Sequence, residues 1–203
     1  MQVSVLIARI ISYLFHPLFL PLLGLFMIFN LEEAGLWLPS SSMQLFLYLL
    51  TLTATCLLPL FIAFLLLKTK YIASLEMATK EERKIPYLAA ATFYFMESYL
   101  LMKLDVPALV QAMILGATIL VVSVLIINLF WKISSHMAGI GGLCGMMIAV
   151  SSRLQINMHF LLIALFLVAG FVAFSRLKLS AHNPGQVYVG FLLGVTVQMI
   201  LFL

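Results

Sequence analysis

Apolar residues in this chain come in long unbroken blocks separated by short polar turns, not in alternation and not in one-sided stripes. A block of about 20 apolar residues crosses the hydrocarbon of a bilayer as a helix, so each block is a candidate span. The first runs from about Val3 to Phe29 and contains His16-Pro17 and Pro21. Proline removes a backbone donor, which predicts a kink or break near its middle. Further blocks run from about Met43 to Leu67, Tyr87 to Met102, Ala108 to Trp131, the glycine-rich 138–142 to about Val150, Met158 to Phe174, and from Gln186 onward. The pattern predicts an all-α, polytopic transmembrane bundle of about seven spans, or six if the first is re-entrant. A barrel would need short alternating segments with polar lumen residues, and none is present.

Composition agrees. Hydrophobic residues make up 65% of the 203, charged residues 9%, and mean hydropathy is +1.20. A water-soluble domain of this size needs more charge than that. We therefore expect a single integral-membrane domain over 1–203, with a bacterial inner membrane as its setting. The N-terminus lacks a basic leader region and reads as a retained first span. The net charge of +4 sits in short connectors, with no basic stripe long enough for nucleic acid. Cys56 and Cys144 lie inside apolar blocks and read as core residues.

The turns carry the chemistry. The chain from 30 to 42, with Glu32, Glu33 and Pro39, is a connector. Three junctions are more polar: Lys68 to Pro86, Lys132 to His136, and Ser175 to Gly185. Two spans separate each from the next, so all three should emerge on one membrane face. The turn at Lys103-Leu104-Asp105-Val106-Pro107 and the connector beginning at Ser151-Ser152-Arg153 should lie on the other. The same-face junctions bring Lys80, Arg83 and Lys84 towards Lys132, Ser134, Ser135 and His136, and towards Ser175, Arg176, Lys178 and His182. Guanidinium, ammonium and hydroxyl groups suit a phosphate, and two histidines can divide attack on phosphorus from protonation of the leaving oxygen. Carboxylates are scarce and no spacing suggests a divalent-metal cage or a cofactor. The plainer reading is that basic residues snorkel at helix ends and Ser and His cap helices.

Ser175-Arg176, five residues, His182, three residues and Gln186 resembles the third signature of the type 2 phosphatidic acid phosphatase family, which has Asp where this chain has Gln186. Ile133-Ser134-Ser135-His136 is similar to the second signature, Pro-Ser-Gly-His, and Arg83-Lys84-Ile85-Pro86 stands where the first belongs. The resemblance covers roughly Lys68 to Leu203. It implies that His182 is a nucleophile forming a phosphohistidine and His136 the general acid. Arg176, Ser134 and Arg83 would hold phosphate oxygens, with the Ser135 amide as a further donor and Lys80 or Lys84 in place of a displaced signature lysine. Gln186 would orient His182 without supplying charge. The resemblance thus implies a metal-independent phosphohydrolase of a lipid phosphate or pyrophosphate. A phosphotransferase of the same fold, or an inactive phospholipid-binding or transport protein, remains open beside it.

Four further features are expected to matter less. Ser152-Arg153, five residues, His159 repeats the Ser-Arg-His spacing, but with Ile163 in the Asp position and on the opposite face. Glu97, in mid-block, should face the bundle interior as either an interhelical hydrogen bond or a proton or headgroup contact. His16 should bond a carbonyl released by the Pro17 kink. Gly139, Gly141, Gly142 and Gly145 should permit close helix packing, with backbone approach to a phosphate as a second use. The basic residues favour a cytoplasmic site face by the positive-inside rule. The resemblance favours the outer face, so the side stays open.

Overall fold

The computed structural model describes residues 2–31 and 39–202, so most of the expected first connector, Glu32 and Glu33 included, lies outside it. Among the described residues every regular element is helical. In chain order these are α1 (Gln2–Leu14), a 3-10 turn (Pro17–Phe19), α2 (Leu20–Phe29), α3 (Ser41–Thr51), a π-helical turn (Leu52–Leu57), α4 (Leu58–Lys68), α5 (Lys84–Leu101), α6 (Ala108–Phe130), α7 (Ser135–Leu154), α8 (His159–Lys178) and α9 (Pro184–Phe202). Six helical stretches are long and apolar enough to cross a bilayer: Gln2–Phe29, Ser41–Lys68, Ala108–Phe130, Ser135–Leu154, His159–Lys178 and Pro184–Phe202. The expected span missing from that set is α5, which carries Lys84, Thr92, Glu97 and Ser98. Large apolar side chains such as Phe160 (91%), Phe130 (78%) and Ile200 (71%) are exposed on these helices. Water would penalise such surfaces and lipid does not. The protein is an integral membrane protein.

Two helix ends differ from the sequence expectation. Ser152-Arg153 and Ser175-Arg176 were expected in connectors, yet both pairs complete the last turns of α7 and α8. A cation in the last turn complements the carbonyl end of the helix dipole, so polarity there does not mark the helix boundary.

The chain divides into two compact units, Pro21–Lys132 on one hand and Met1–Leu20 with Ile133–Leu203 on the other. The first apolar block is therefore cut at Leu20, just after the expected break. His16 makes that break by capping the 3-10 turn: its Nδ1 accepts from the Leu18 N–H at 3.4 Å. The expectation that His16 would serve a released carbonyl is thus corrected, because the Pro17 turn leaves an N–H to satisfy.

In the 21–132 unit, α5 and α6 form a hairpin around the 102–107 turn, tied by the Thr118 hydroxyl donating to the Tyr94 carbonyl at 3.0 Å. The chain between α4 and α5 folds onto itself. Lys80 Nζ donates to the last carbonyls of α6, Leu129 and Phe130, both at 3.3 Å, and the Asn128 amide donates back to the Lys80 carbonyl at 2.9 Å. The buried Arg83 donates from Nε to the Met77 carbonyl at 2.9 Å.

Glu82 accepts from the Ala73 N–H at 2.6 Å and from the Thr79 N–H at 3.2 Å. These amides, Ala73's first, hold its carboxyl below the ordinary carboxylate range. The depressed value means that the loop gains from the carboxylate above the unfolded value and loses that gain as pH falls through the folded one. Amide exchange at Ala73 and Thr79 should therefore be faster, after correction for intrinsic rates, at roughly pH 3 than at neutral pH. Unchanged protection at both positions would refute this role for Glu82.

In the other unit, α7 and α9 run parallel and in contact. Gly141 packs on the Phe191 backbone and Gly145 on Val195, while Gly190 and Gly194 meet the Ser134 and Ala138 carbonyls. Both glycine pairs stand four apart, a spacing that puts small residues on one helix face and lets backbones approach. The expectation of close packing holds. These glycines face α9, and Gly139 faces Leu20 and Pro17, so the alternative use against a phosphate has no support from their placement. At the far end of the pair, Arg153 Nη1 donates to the Phe202 carbonyl at 3.1 Å.

Candidate functional site

The polar end of the unit formed by Met1–Leu20 and Ile133–Leu203 is built by four helix ends. Helix α8 finishes in a Schellman motif: Ala181 N–H bonds Arg176 O at 3.1 Å and Ser180 N–H bonds Leu177 O at 3.0 Å, with Ser180 left-handed at φ 51°. Two residues later the chain enters α9 through a capping box. The Asn183 side chain accepts from the Gln186 N–H at 2.9 Å, the Gln186 Oε1 accepts from the Asn183 N–H at 3.2 Å, and Pro184 takes the first helical position. His182 lies between these two motifs and is buried, 7% exposed.

Its ring is oriented by the same box. His182 Nδ1 stands 3.0 Å from Gln186 Oε1. The Asn183 N–H can only donate, so the Gln186 atom it meets is the oxygen. That oxygen can only accept, which puts the proton on His182 Nδ1 and the lone pair on Nε2.

The second junction meets the third directly. The Ser134 N–H donates to the Gln186 carbonyl at 3.3 Å, so the first turns of α7 and α9 lie side by side. Ser134 caps α7, its hydroxyl accepting from the Met137 N–H at 3.5 Å. Ser135 opens the helix and His136 follows, buried at 8% exposure. His136 Nε2 lies 3.2 Å from the Ser12 carbonyl, an acceptor, which places a proton on Nε2.

Arg176 is half-buried in the last turn of α8. Its Nη1 donates to Ser12 Oγ at 3.1 Å, and Ser12 Oγ is 2.6 Å from Ser175 Oγ. The Ser175 hydroxyl donates in turn to the Ala8 carbonyl. Arg176, Ser12, Ser175 and Ala8 thus form one directed chain of hydrogen bonds tying α8 to α1. The Arg176 charge also acts on the His136 ring, as do His16 and His182.

Of the residues singled out in the sequence, His136, His182, Arg176, Ser134, Ser135 and Gln186 come together here. Lys80, Arg83 and Lys84 belong to the 21–132 unit, where Lys80 caps α6, Arg83 braces its loop and Lys84 is exposed at the start of α5. Arg153 and His159 lie at the opposite end of α7 and α8, where His159 lines an open apolar cleft with Leu162, Ile163 and Phe166. That repeat of the spacing is no part of the cluster.

Two members were not assigned to the cluster from the sequence: Ser12, which was passed over, and His16, which was read only as serving the Pro17 kink. Ser12 receives both Arg176 and His136, and the His16 ring stands edge-on to His136 with centroids 5.2 Å apart. Part of the signal was available, because two polar residues four apart in an apolar block point to a buried polar spot, although α1 ends at Leu14 and His16 lies beyond it. No three His, Cys, Asp or Glu side chains among the described residues converge as a metal-holding group. Compared with models of known families, with curated proteins and with solved structures, the chain matches none.

Proposed function

We propose that this cluster is a phosphoryl-transfer site and that the protein is a metal-independent phosphohydrolase of a lipid phosphate or pyrophosphate, in a bacterial inner membrane. The observation that carries the reading is the His182–Gln186 contact, which fixes the lone pair on Nε2 of a buried imidazole. His182 Nε2 attacks phosphorus while the bond to the leaving oxygen breaks, and His136, entering the cycle as an imidazolium, gives that oxygen its Nδ1 proton while keeping Nε2–H on the Ser12 carbonyl. Water then attacks the phosphohistidine, losing a proton to His136 as the P–N bond breaks and inorganic phosphate departs. Arg176 offers paired donors to the phosphoryl oxygens, and the first turns of α7 and α9 present their positive ends, the Ser135 amide among them. The apolar helices around the site suit a substrate with a lipid tail. The reading needs only residues of one unit and leaves Lys80, Arg83 and Lys84 outside the chemistry.

Purified protein in detergent, with chelator present, should release phosphate from a lipid phosphate. An alkaline or SDS quench during turnover should trap an alkali-stable, acid-labile phosphoryl group mapping to His182. Neither release nor a trapped adduct, over lipid monophosphates and pyrophosphates, would overturn the reading.

The neutral Gln186 favours a second reading, a binding or transport protein using the same cluster of side chains without turnover. Gln186→Glu separates the two, since it keeps the reach to His182 and adds the charge that supports a phosphoimidazolium. An active enzyme should gain about tenfold or less, equivalent to about 1.4 kcal/mol of transition-state stabilisation. Hydrolysis appearing only in the variant would identify the wild type as the binding protein.

A further inference from the structure

The 21–132 unit holds a second buried polar cluster, independent of the phosphoryl-transfer reading. Glu97 of α5 is 2% exposed. Its Oε1 accepts from the Thr51 hydroxyl at the end of α3, the interhelical bond expected of it. Its Oε2 is buried and has no hydrogen-bond partner among the described residues. The interhelical bond therefore accounts for one oxygen and leaves the other.

The neighbourhood supplies more oxygens than nitrogen donors. The Thr55 hydroxyl donates to the Thr51 carbonyl at 2.8 Å, and the buried Tyr94 hydroxyl pairs with Thr55. Thr51, Ala54, Thr55 and Cys56 are buried in or next to the π-helical turn Leu52–Leu57. Pro59 explains that turn. Its ring would clash with the Thr55 carbonyl four residues back, and widening the helix relieves the clash. Leu58 N–H accordingly bonds the Thr53 carbonyl, five residues back. In that register Pro59 has no N–H to give to the Ala54 carbonyl. Among the described residues Tyr94 is the titratable group that interacts with Glu97, Cys56 acts on Tyr94, and α6 contributes none.

A bare carboxylate at this depth costs several kcal/mol, and such groups are kept only with a counter-charge. We infer that Glu97, with the Thr51 and Thr55 oxygens and the Ala54 carbonyl that Pro59 leaves without a donor, is a binding site for one small monovalent cation, sodium or a proton. One carboxylate balances a single positive charge, and oxygen donors without nitrogen or sulfur suit a hard ion.

Carbodiimide labelling reads the site, because the reagent adds to a protonated carboxyl in apolar surroundings and is excluded by an occupying metal ion. Dicyclohexylcarbodiimide should add one N-acylurea at Glu97 in the full-length protein, with Glu97→Gln as control. Labelling that falls at least tenfold as pH rises, unaffected by salt, identifies a proton site. Labelling suppressed at fixed pH by sodium chloride, and not by choline chloride, identifies sodium. Thermal unfolding is the second reading: wild type should shift with the same ion, and the isosteric Glu97→Gln should not. Absent or condition-independent labelling, together with unfolding equally insensitive to pH and sodium in both proteins, would overturn the inference.

Discussion

His182→Ala should lower phosphate release by at least about 10⁴-fold while leaving the unfolding temperature close to that of wild type. Loss of a nucleophile removes the covalent route altogether, so its cost exceeds that of losing a proton donor, which is about 10²–10⁴-fold. His136→Ala should fall in that smaller range. The comparison has a structural basis. His182 meets Gln186 through Nδ1, so the proposed attack falls to Nε2, whereas His136 meets the Ser12 carbonyl through Nε2, so the proposed proton exchange falls to Nδ1. Folding should survive because the Asn183–Gln186 capping box closes without the imidazole. Equal release by wild type and His182→Ala, measured with chelator on the same lipid phosphate, would remove the phosphohistidine mechanism.

The helical, membrane-spanning character was legible because its signal is additive over some 20 residues at a time. Local cap chemistry was legible in principle and passed over. Asn183-Pro184-Gly185-Gln186 carries an N-cap residue, Pro at the first helical position and Gln three after the cap, a helix-start signature. Gln186 looked like a weakened partner for His182. In the fold its oxygen serves the Asn183 amide and the His182 ring together. What the sequence could not supply was the partner of each helix end. Ser12 and Ser175 are 163 residues apart and 2.6 Å from each other, a pairing that neither periodicity nor span counting contains. Counting spans placed His136 with His182 and apart from Arg153. It could not place α1 beside α8, where the Ser12 carbonyl and hydroxyl meet His136 and Arg176. Lys80 teaches the reverse lesson. A basic residue in a polar junction was read as a phosphate ligand, and within its own unit it donates to the last carbonyls of α6, a contact the sequence reading did not include.

Gly194→Leu should be the most damaging single substitution for the fold of the unit that carries the site. Membrane helices gain little from the hydrophobic effect against lipid, so α7 and α9 associate through close backbone packing. A Cβ at Gly194 would overlap the Ala138 carbonyl and stand 2.6 Å from the Gly142 nitrogen. Both neighbours are backbone inside α7 and cannot rotate aside. Overpacking against movable side chains costs about 1–3 kcal/mol, and here the helices themselves must separate, so a loss of at least about 3 kcal/mol is expected. Separation would also pull the Ser134 N–H from the Gln186 carbonyl, the bond that registers the two first turns. Activity should then fall with stability, although Gly194 touches none of the proposed catalytic groups. Gly170 is the control: a Cβ there would meet nothing within 4 Å on the exposed side of α8, so Gly170→Leu should unfold at or above the wild-type temperature. Equal unfolding temperatures for Gly194→Leu and Gly170→Leu in one detergent would mean that the glycine faces do not hold α7 to α9. The geometry relating His136 to His182 would then need another cause.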